Sequence, residues 1–585
     1  MKIINKLHLP EDIKKLNLNE LEDLASDTSK LILERISKIG GHLASNLGII
    51  EITLALHYVF DFPKDKVIFD VSHQCYSHKI FSGRVNEFSN PEEYKNASGF
   101  SAPYESDYDS FCIGHTSTSV SLGLGLARGR DAQNENYNVI SIIGDGSLSG
   151  GISFEALSNA GIYNQNFIII VNDNEMSIAE NRGSIYKNLE LLRKTKGEAK
   201  ENYFKLLGFD YKYIEEGNNI EVLIKEFKKL KNIDHPIVVH IHTEKGHSYK
   251  YAVEQKEKWH YSPGFNIETG EFLASKGNYF GGVTRDFLIK KLNENKNMRI
   301  VTAGTPLVIG FNHELREKYN DQFIDVGIAE SHALAFATGL TKTGAKTYIG
   351  LNASFMQRGF DQFAHEIAIN KLPLKILVYG SGIVKNNKTH QGIFDITMLS
   401  NIPNLIYYAP TTEEELLNAL ELQFEDDKNP IAIRIPKGLE VHAKNYVYKN
   451  TFFEFNKYDV LGSDKEIVLI GVGDTYFEVE KAKDLINQKL KRDYVIANPK
   501  NITELDKEFL DSLNNKTKFV ITVEDGIING GYGQKVASYL SKYKIPTIIL
   551  GVDNEFVDMD QIQNIYKKYN LSADELLKIV ESLIK

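Results

Sequence analysis

Asp145, in Gly144-Asp145-Gly146, is followed 29 residues later by Asn174, in Val171-Asn172-Asp173-Asn174-Glu175-Met176. Each stands just beyond an apolar run, Val139-Ile140-Ser141-Ile142-Ile143 for the first and Asn166 to Val171 for the second. Runs of this kind, closed by glycine or by acidic and amide residues, read as buried parallel strands. The carboxyl ends of parallel strands open onto the crevice where ligands bind. Asp145 and Asn174 therefore offer two oxygens to one hard cation, and Mg²⁺ characteristically takes few protein oxygens beside a ligand's phosphates. Gly144 and Gly146 let backbone come close to a diphosphate. An ordinary strand–turn–helix would explain Gly-Asp-Gly alone; the paired asparagine makes cation and phosphate chemistry the better reading. Four of the 16 histidines add proton chemistry. His42, His73, His115 and His390 lie in loops rich in Gly, Ser and Thr, where backbone groups can approach a ligand.

The elements that must hold these loops follow from the apolar pattern. Residues 11 to 60 read as helices, with a stripe at Leu18, Leu21 and Leu24 and a mostly buried stretch from Ile49 to Leu56. Strands at Lys66–Asp70, Val139–Ile143, Phe167–Val171 and Ile237–His242 alternate with helical stretches, which predicts a parallel sheet wrapped by helices. The polar tract Lys250 to Gly277 lacks periodicity and reads as a linker or surface loop. Strands resume at Arg299–Thr302, Thr347–Gly350, Lys375–Tyr379, Leu405–Ala409 and Ala432–Arg434. A second break, Lys444 to Asp464, precedes strands at Ile467–Ile470, Asp493–Ala497, Phe519–Val523 and Thr547–Leu550. The fold class is α/β: three domains with mainly parallel sheets, at residues 1–275, 276–455 and 456–585.

Composition agrees. A length of 585 residues suits three or four domains. A net charge of −10 argues against nucleic acid as a partner, so an anionic substrate must be caught by local positive charge. Two cysteines, Cys75 and Cys112, make no disulfide framework and fit a reducing cytoplasm. No apolar run is long enough to span a membrane, and Met1 to Pro10 lack a signal-peptide core.

Seven segments carry a resemblance: Gly40-Gly41-His42-Leu43-Ala44-Ser45-Asn46-Leu47-Gly48, Asp70-Val71-Ser72-His73-Gln74, Gly114-His115-Thr116-Ser117-Thr118-Ser119, Gly144-Asp145-Gly146, Asn172 to Ile178, Asp325-Val326-Gly327-Ile328-Ala329-Glu330, and Thr389-His390-Gln391-Gly392. In this order they resemble the 1-deoxy-D-xylulose-5-phosphate synthase family, a thiamine diphosphate-dependent branch related to transketolase. The match spans nearly the whole chain and thins at Asn498 to Asp506.

The resemblance implies thiamine diphosphate and Mg²⁺ as cofactors, with Asp145, Asn174 and the Met176 carbonyl on the metal. Gly114, His115, Ser117, Gly144, Gly146, Ser147 and Lys245 would meet the cofactor. Ile178 would support its bend, Phe355 would pack on the pyrimidine, and Arg358 would lie beside it. Glu330 matches the carboxylate that favours the imino tautomer of the aminopyrimidine; burial suits a group sharing a proton with a ring nitrogen. His42, His73 and His390 would serve the reacting carbonyls, with Ser45 and His260 at the substrate end. The implied reaction decarboxylates pyruvate and adds the two-carbon unit to glyceraldehyde 3-phosphate, in a homodimer.

The departures gather at the acceptor end. Asn352 stands where the family has a tyrosine, and Gly380 replaces an arginine that grips the acceptor phosphate. Arg434 matches a second phosphate-binding arginine. Lys385 and Lys388 restore charge there but not an arginine's fork. A paralogue using pyruvate with a different sugar aldehyde, longer or differently phosphorylated, is the first alternative, and a transketolase the second. A non-catalytic cofactor-binding protein is disfavoured by the presence of Glu330, Asp145, Asn174, His42 and His73.

Overall fold

The apolar runs around Asp145 and Asn174 are neighbouring strands of one parallel sheet in the computed structural model, which describes residues 3–273, 279–437, 454 and 456–584. That sheet comprises β1 (Lys66–Phe69), β2 (Val139–Gly144), β3 (Phe167–Asp173), β4 (Asp210–Ile214) and β5 (Pro236–His242), in the order β1-β2-β3-β5-β4. Every residue of β3 is buried, as are all of β2 but its last. Burial on both faces is why these strands read as continuous apolar runs without alternation. The register sets Ile143 opposite Val171 and Gly144 opposite Asn172. Both strands thus stop at one edge, and Asp145 and Asn174 leave them there.

The second sheet comprises β6 (Met298–Thr302), β7 (Phe323–Asp325), β8 (Lys346–Asn352), β9 (Lys375–Tyr379), β10 (Ile406–Tyr408) and β11 (Ile431–Arg434). Its order is β10-β11-β9-β8-β6-β7, parallel throughout. The third comprises β12 (Asp459–Leu461), β13 (Asp464–Gly471), β14 (Tyr494–Asn498), β15 (Phe519–Ile527) and β16 (Thr547–Val552), in the order β12-β14-β13-β15-β16. Only β12 runs antiparallel to its neighbour. Two compact units result. One is Met1–Ser275 with Val326–Ala329, and the other is Lys276–Asp325 with Glu330–Lys585.

Several expectations need correction. The tract from Lys250 is no surface linker: it contains a helix at Lys250–Glu254, and Ala252, Trp259 and Phe265 enter the core. Its aromatic residues bury at irregular spacing, which leaves no periodic trace. Residues 274–277 of that tract, and 444–453 and 455 of the second break, lie outside the described residues. The remainder of the second break includes β12, exposed at each position. β4 and β7 also went unread, the one being polar and edge-exposed, the other three residues long. Glu330, whose place in Gly-Ile-Ala-Glu reads as a strand end, instead opens the helix Glu330–Lys342. His115 reads as the opening of a helix N-terminus, but the helix that follows it starts only at Ser119. Among the described residues no helix is long and apolar enough to cross a membrane.

Candidate active site

In the first unit, three loops leave the sheet at its carboxyl edge and are tied to one another. Asp70, buried just after β1, accepts the amides of Ser117 at 2.7 Å and Ser119 at 2.9 Å. Ser117 Oγ in turn donates to the Ser147 carbonyl at 2.8 Å, two residues past Asp145. Val71, Ser72, Ser117 and Glu175 all adopt positive φ without being glycine. Each such residue costs on the order of 1–3 kcal/mol and persists only where its surroundings over-determine it. These strained loops hold His73, His115 and Met176.

Asp145 is 2% exposed, and Asn181 Nδ2 donates to its Oδ2 at 2.6 Å. Burial, and then the neighbouring Asp173, push its carboxyl up to about 8. Burial would raise Asp173 as well, but a 2.8 Å contact with His240 Nε2 and an ion pair with Arg193 hold it below the usual carboxylate range. Asn174 is 8% exposed, and its buried Oδ1 has no hydrogen-bond partner. An unpaired buried acceptor costs about 1–3 kcal/mol. A reluctant carboxylate and an orphaned amide oxygen at one edge of the sheet suit a hard cation. Among the described residues no group of three or more His, Cys, Asp or Glu could hold a metal, so such a cation would draw on amide, carbonyl and ligand oxygens. Lys245 Nζ bonds the neutral carbonyl of Ser177, and burial pushes the ammonium down to about 8 while Asp145 draws it up. A buried ammonium on a neutral acceptor fits an anion. Ile178 is half-buried.

His42, His73 and His260 form a cluster, with ring centroids 4.9 Å (His42–His73), 5.5 Å (His42–His260) and 5.3 Å (His73–His260) apart. Burial drives His42 and His260 well below the ordinary imidazole value, helped by neighbouring imidazoles and Lys245. Burial thus favours the neutral ring, which has one nitrogen to donate and one to accept. Ser45 is buried on the short helix Ala44–Leu47. Tyr261 packs edge-on to His42 at 5.0 Å yet is 61% exposed.

In the second unit Glu330 is buried, and Arg358 Nη1 donates to its Oε2 at 3.4 Å. Phe355 packs edge-on to His390 at 5.6 Å, and Thr389 Oγ1 lies 2.9 Å from His390 Nδ1. Asn352 closes β8, and a Cβ placed on Gly380, which has φ +59°, would stand 3.2 Å from Asn352 Oδ1. The two departures at the acceptor end are therefore neighbours. Arg434 is 3% exposed: Nε donates to Asp395 Oδ2 at 2.7 Å, and Nη2 pairs with Asp525 Oδ1 at 2.7 Å. Lys437 meets the other Asp525 oxygen at 2.7 Å, and Lys388 pairs with Asp558 at 2.7 Å. The guanidinium is already committed to two carboxylates.

Sequence reasoning missed Asn46, Asp70, Asp173, Asn181, Tyr261 and the Asp395–Asp525 pair. Asn46, Asp70 and Asp173 sit inside segments that were singled out, and Tyr261 directly follows His260. Nothing in the sequence signalled that Arg434 would be neutralised from two distant elements.

Residues 284–440 match the transketolase pyrimidine binding domain and 456–576 the transketolase C-terminal domain. With the three mainly parallel sheets, these make the chain a transketolase-type, thiamine diphosphate-dependent enzyme. Residues 4–202 match the family described as 1-deoxy-D-xylulose-5-phosphate synthase. The chain is 35% identical to the 1-deoxy-D-xylulose-5-phosphate synthase of Caldanaerobacter subterraneus over 98% of each chain, and 36% identical to that of Clostridium beijerinckii over 100% of each. It belongs to the 1-deoxy-D-xylulose-5-phosphate synthase family. Among solved structures, the transketolase of Campylobacter jejuni covers 97% of this chain and 100% of its own at 16% identity and a TM-score of 0.44, too low to bear on the argument.

Proposed function

We propose that this chain decarboxylates pyruvate and joins the two-carbon unit to glyceraldehyde 3-phosphate, yielding 1-deoxy-D-xylulose 5-phosphate. The observation that carries the reading is the grouping of Asp145, the unpartnered Asn174 Oδ1 and Lys245 in a chain whose full-length relatives bear that name. Asp145, Asn174 and the Met176 carbonyl would hold Mg²⁺. Lys245, with Gly114, His115, Ser117, Gly144, Gly146 and Ser147, would hold a diphosphate. Thiamine diphosphate, when bound, supplies the nucleophilic carbon and takes up the charge released with CO₂.

The protein's own part is binding and proton handling. Glu330 would share a proton with a ring nitrogen of the cofactor, and Arg358 Nη1, donating to its Oε2 at 3.4 Å, would fix the carboxyl's orientation. His42 and His73 would donate hydrogen bonds to an oxygen that gains charge, and a neutral ring such as that of His42 does so without burying a cation. His260 and Ser45 add hydrogen bonds at that end. Ile178 and Phe355 supply apolar surface, and His390, Asn352, Lys388 and Arg434 would meet the acceptor. We place the enzyme in the cytoplasm as a homodimer.

The test is to supply pyruvate and glyceraldehyde 3-phosphate with thiamine diphosphate and Mg²⁺, and to identify the product by mass spectrometry. Ketose phosphates donating as well as pyruvate would favour a transketolase instead. A second acceptor reading has one observation behind it: Arg434 and Lys388 are both paired with carboxylates, and position 380 is glycine. A panel of longer and unphosphorylated aldehydes in the same assay decides between the two acceptors.

A further inference from the structure

His42 and His73 lie on separate loops, 31 residues apart, and nothing local in the sequence sets their spacing. Asn46 joins them. It has no solvent exposure, and its Nδ2 donates to the His42 carbonyl at 2.6 Å and to the His73 carbonyl at 2.7 Å. Its Oδ1 accepts the Tyr76 amide at 3.0 Å, at the start of the helix Tyr76–Phe81. A carboxamide has two N–H donors and one carbonyl oxygen, so both donors and one lone pair are spent on these three backbone groups. The His73 loop enters through Val71 and Ser72, both in the left-handed region. One side of that loop is strained and the other is anchored by Asn46, an arrangement that persists only when over-determined.

We propose that Asn46 is the positioning residue that sets His42 and His73 at their working separation, acting through both backbones without touching substrate. The geometry leaves little room for a substitute. Aspartate has the shape but no donors, so two buried carbonyls would face a carboxylate. Glutamine carries the same group one methylene too far, and serine offers a single donor.

The inference rests on the roles proposed above for the two histidines, and its test separates the two readings. Full-length Asn46→Ala and Asn46→Asp are compared with the parent in thiamine diphosphate and Mg²⁺. The measurements are cofactor affinity by calorimetry, kcat and KM for pyruvate, and the Cε1–H resonances of His42 and His73, assigned from the His42→Ala and His73→Ala proteins. His240, fixed between Asp173 and Tyr211 at 2.8 Å on each side, is the internal control. The expected result is a folded protein that binds cofactor and loses about a hundredfold in kcat, as for a catalytic group displaced by about an ångström. KM should change far less, and the His42 and His73 resonances should move while that of His240 stays. Unmoved resonances in a folded variant would overturn the assignment. So would loss of folding or of cofactor binding in both variants, which would make Asn46 a general support. If the resonances move but the parent protein does not turn over pyruvate, the positioning role stands and the proposed reaction falls.

Discussion

A carboxylate that shares a proton with a ring nitrogen cannot be replaced by its amide. Glu330 is buried with Arg358 as its charged neighbour. Glu330→Gln keeps the shape and one acceptor but cannot exchange the proton. The variant should bind thiamine diphosphate near the parent affinity while turnover falls by about two to four orders of magnitude. Deuterium exchange at C2 of the bound cofactor, followed by proton NMR, reads the step directly; parent-like exchange would mean that another group carries the proton.

Elements supply the rigidity on which such groups depend. Gly123 lies on the helix Ser119–Ala132, and a Cβ there would strike Ser141 Oγ and come within 2.8 Å of Phe167 Cε2. Ser141 and Phe167 belong to β2 and β3, the strands that end at Asp145 and Asn174. Gly123→Ala should therefore cost about 1–3 kcal/mol by overpacking, although alanine is the better helix former. Urea unfolding measures this, and a variant as stable as the parent would show that the helix can shift freely on the sheet.

A second element-level effect is electrostatic. Glu524, on β15, accepts the amides of Tyr532 at 2.9 Å and Gly533 at 3.0 Å, capping the helix Tyr532–Leu540. Burial lifts its carboxyl from the ordinary 4.5 to about 7, against those two bonds. Between these values the folded protein keeps a proton that the unfolded chain has lost. Stability therefore falls as pH rises from about 4.5 to about 7 and levels off above. Glu524→Gln should remove that slope, worth about 3 kcal/mol at most. Unfolding midpoints of both proteins at pH 5 and pH 7.5 decide it; an equal gap at the two pH values would exclude the effect.

At the scale of the whole molecule, a net charge of −10 must still admit a doubly anionic cofactor and a charged donor. On the proposed reading, a cation held by Asp145 and Asn174, together with Lys245, would provide the local reversal of sign. Cofactor and metal should then stabilise the fold together, by about 2.7 kcal/mol at a hundredfold excess over the dissociation constant. Thermal unfolding with thiamine diphosphate and Mg²⁺ should show a raised Tm that EDTA abolishes. A cofactor-induced rise that survives chelation would remove the metal from the account.

The amino-acid sequence alone determined the three α/β regions and most of their strands. Burial on both faces writes itself into a chain as runs such as Val139–Ile143 and Phe167–Val171, and glycine or amide residues mark where each run stops. Short or polar strands such as β4, β7 and β12 left no such mark, because their pairing is made by backbone groups common to every residue. The aromatic packing around Trp259 left none either, since irregular burial has no period. Tertiary structure alone decided three further things. It assigned Val326–Ala329 to the first compact unit although the residues on both sides belong to the second. It closed Arg434 between Asp395 and Asp525, which are 39 and 91 positions away in sequence. It also placed one asparagine amide between two histidine loops. Each depends on which distant groups arrive at one point, and only closure of the chain on itself brings them there.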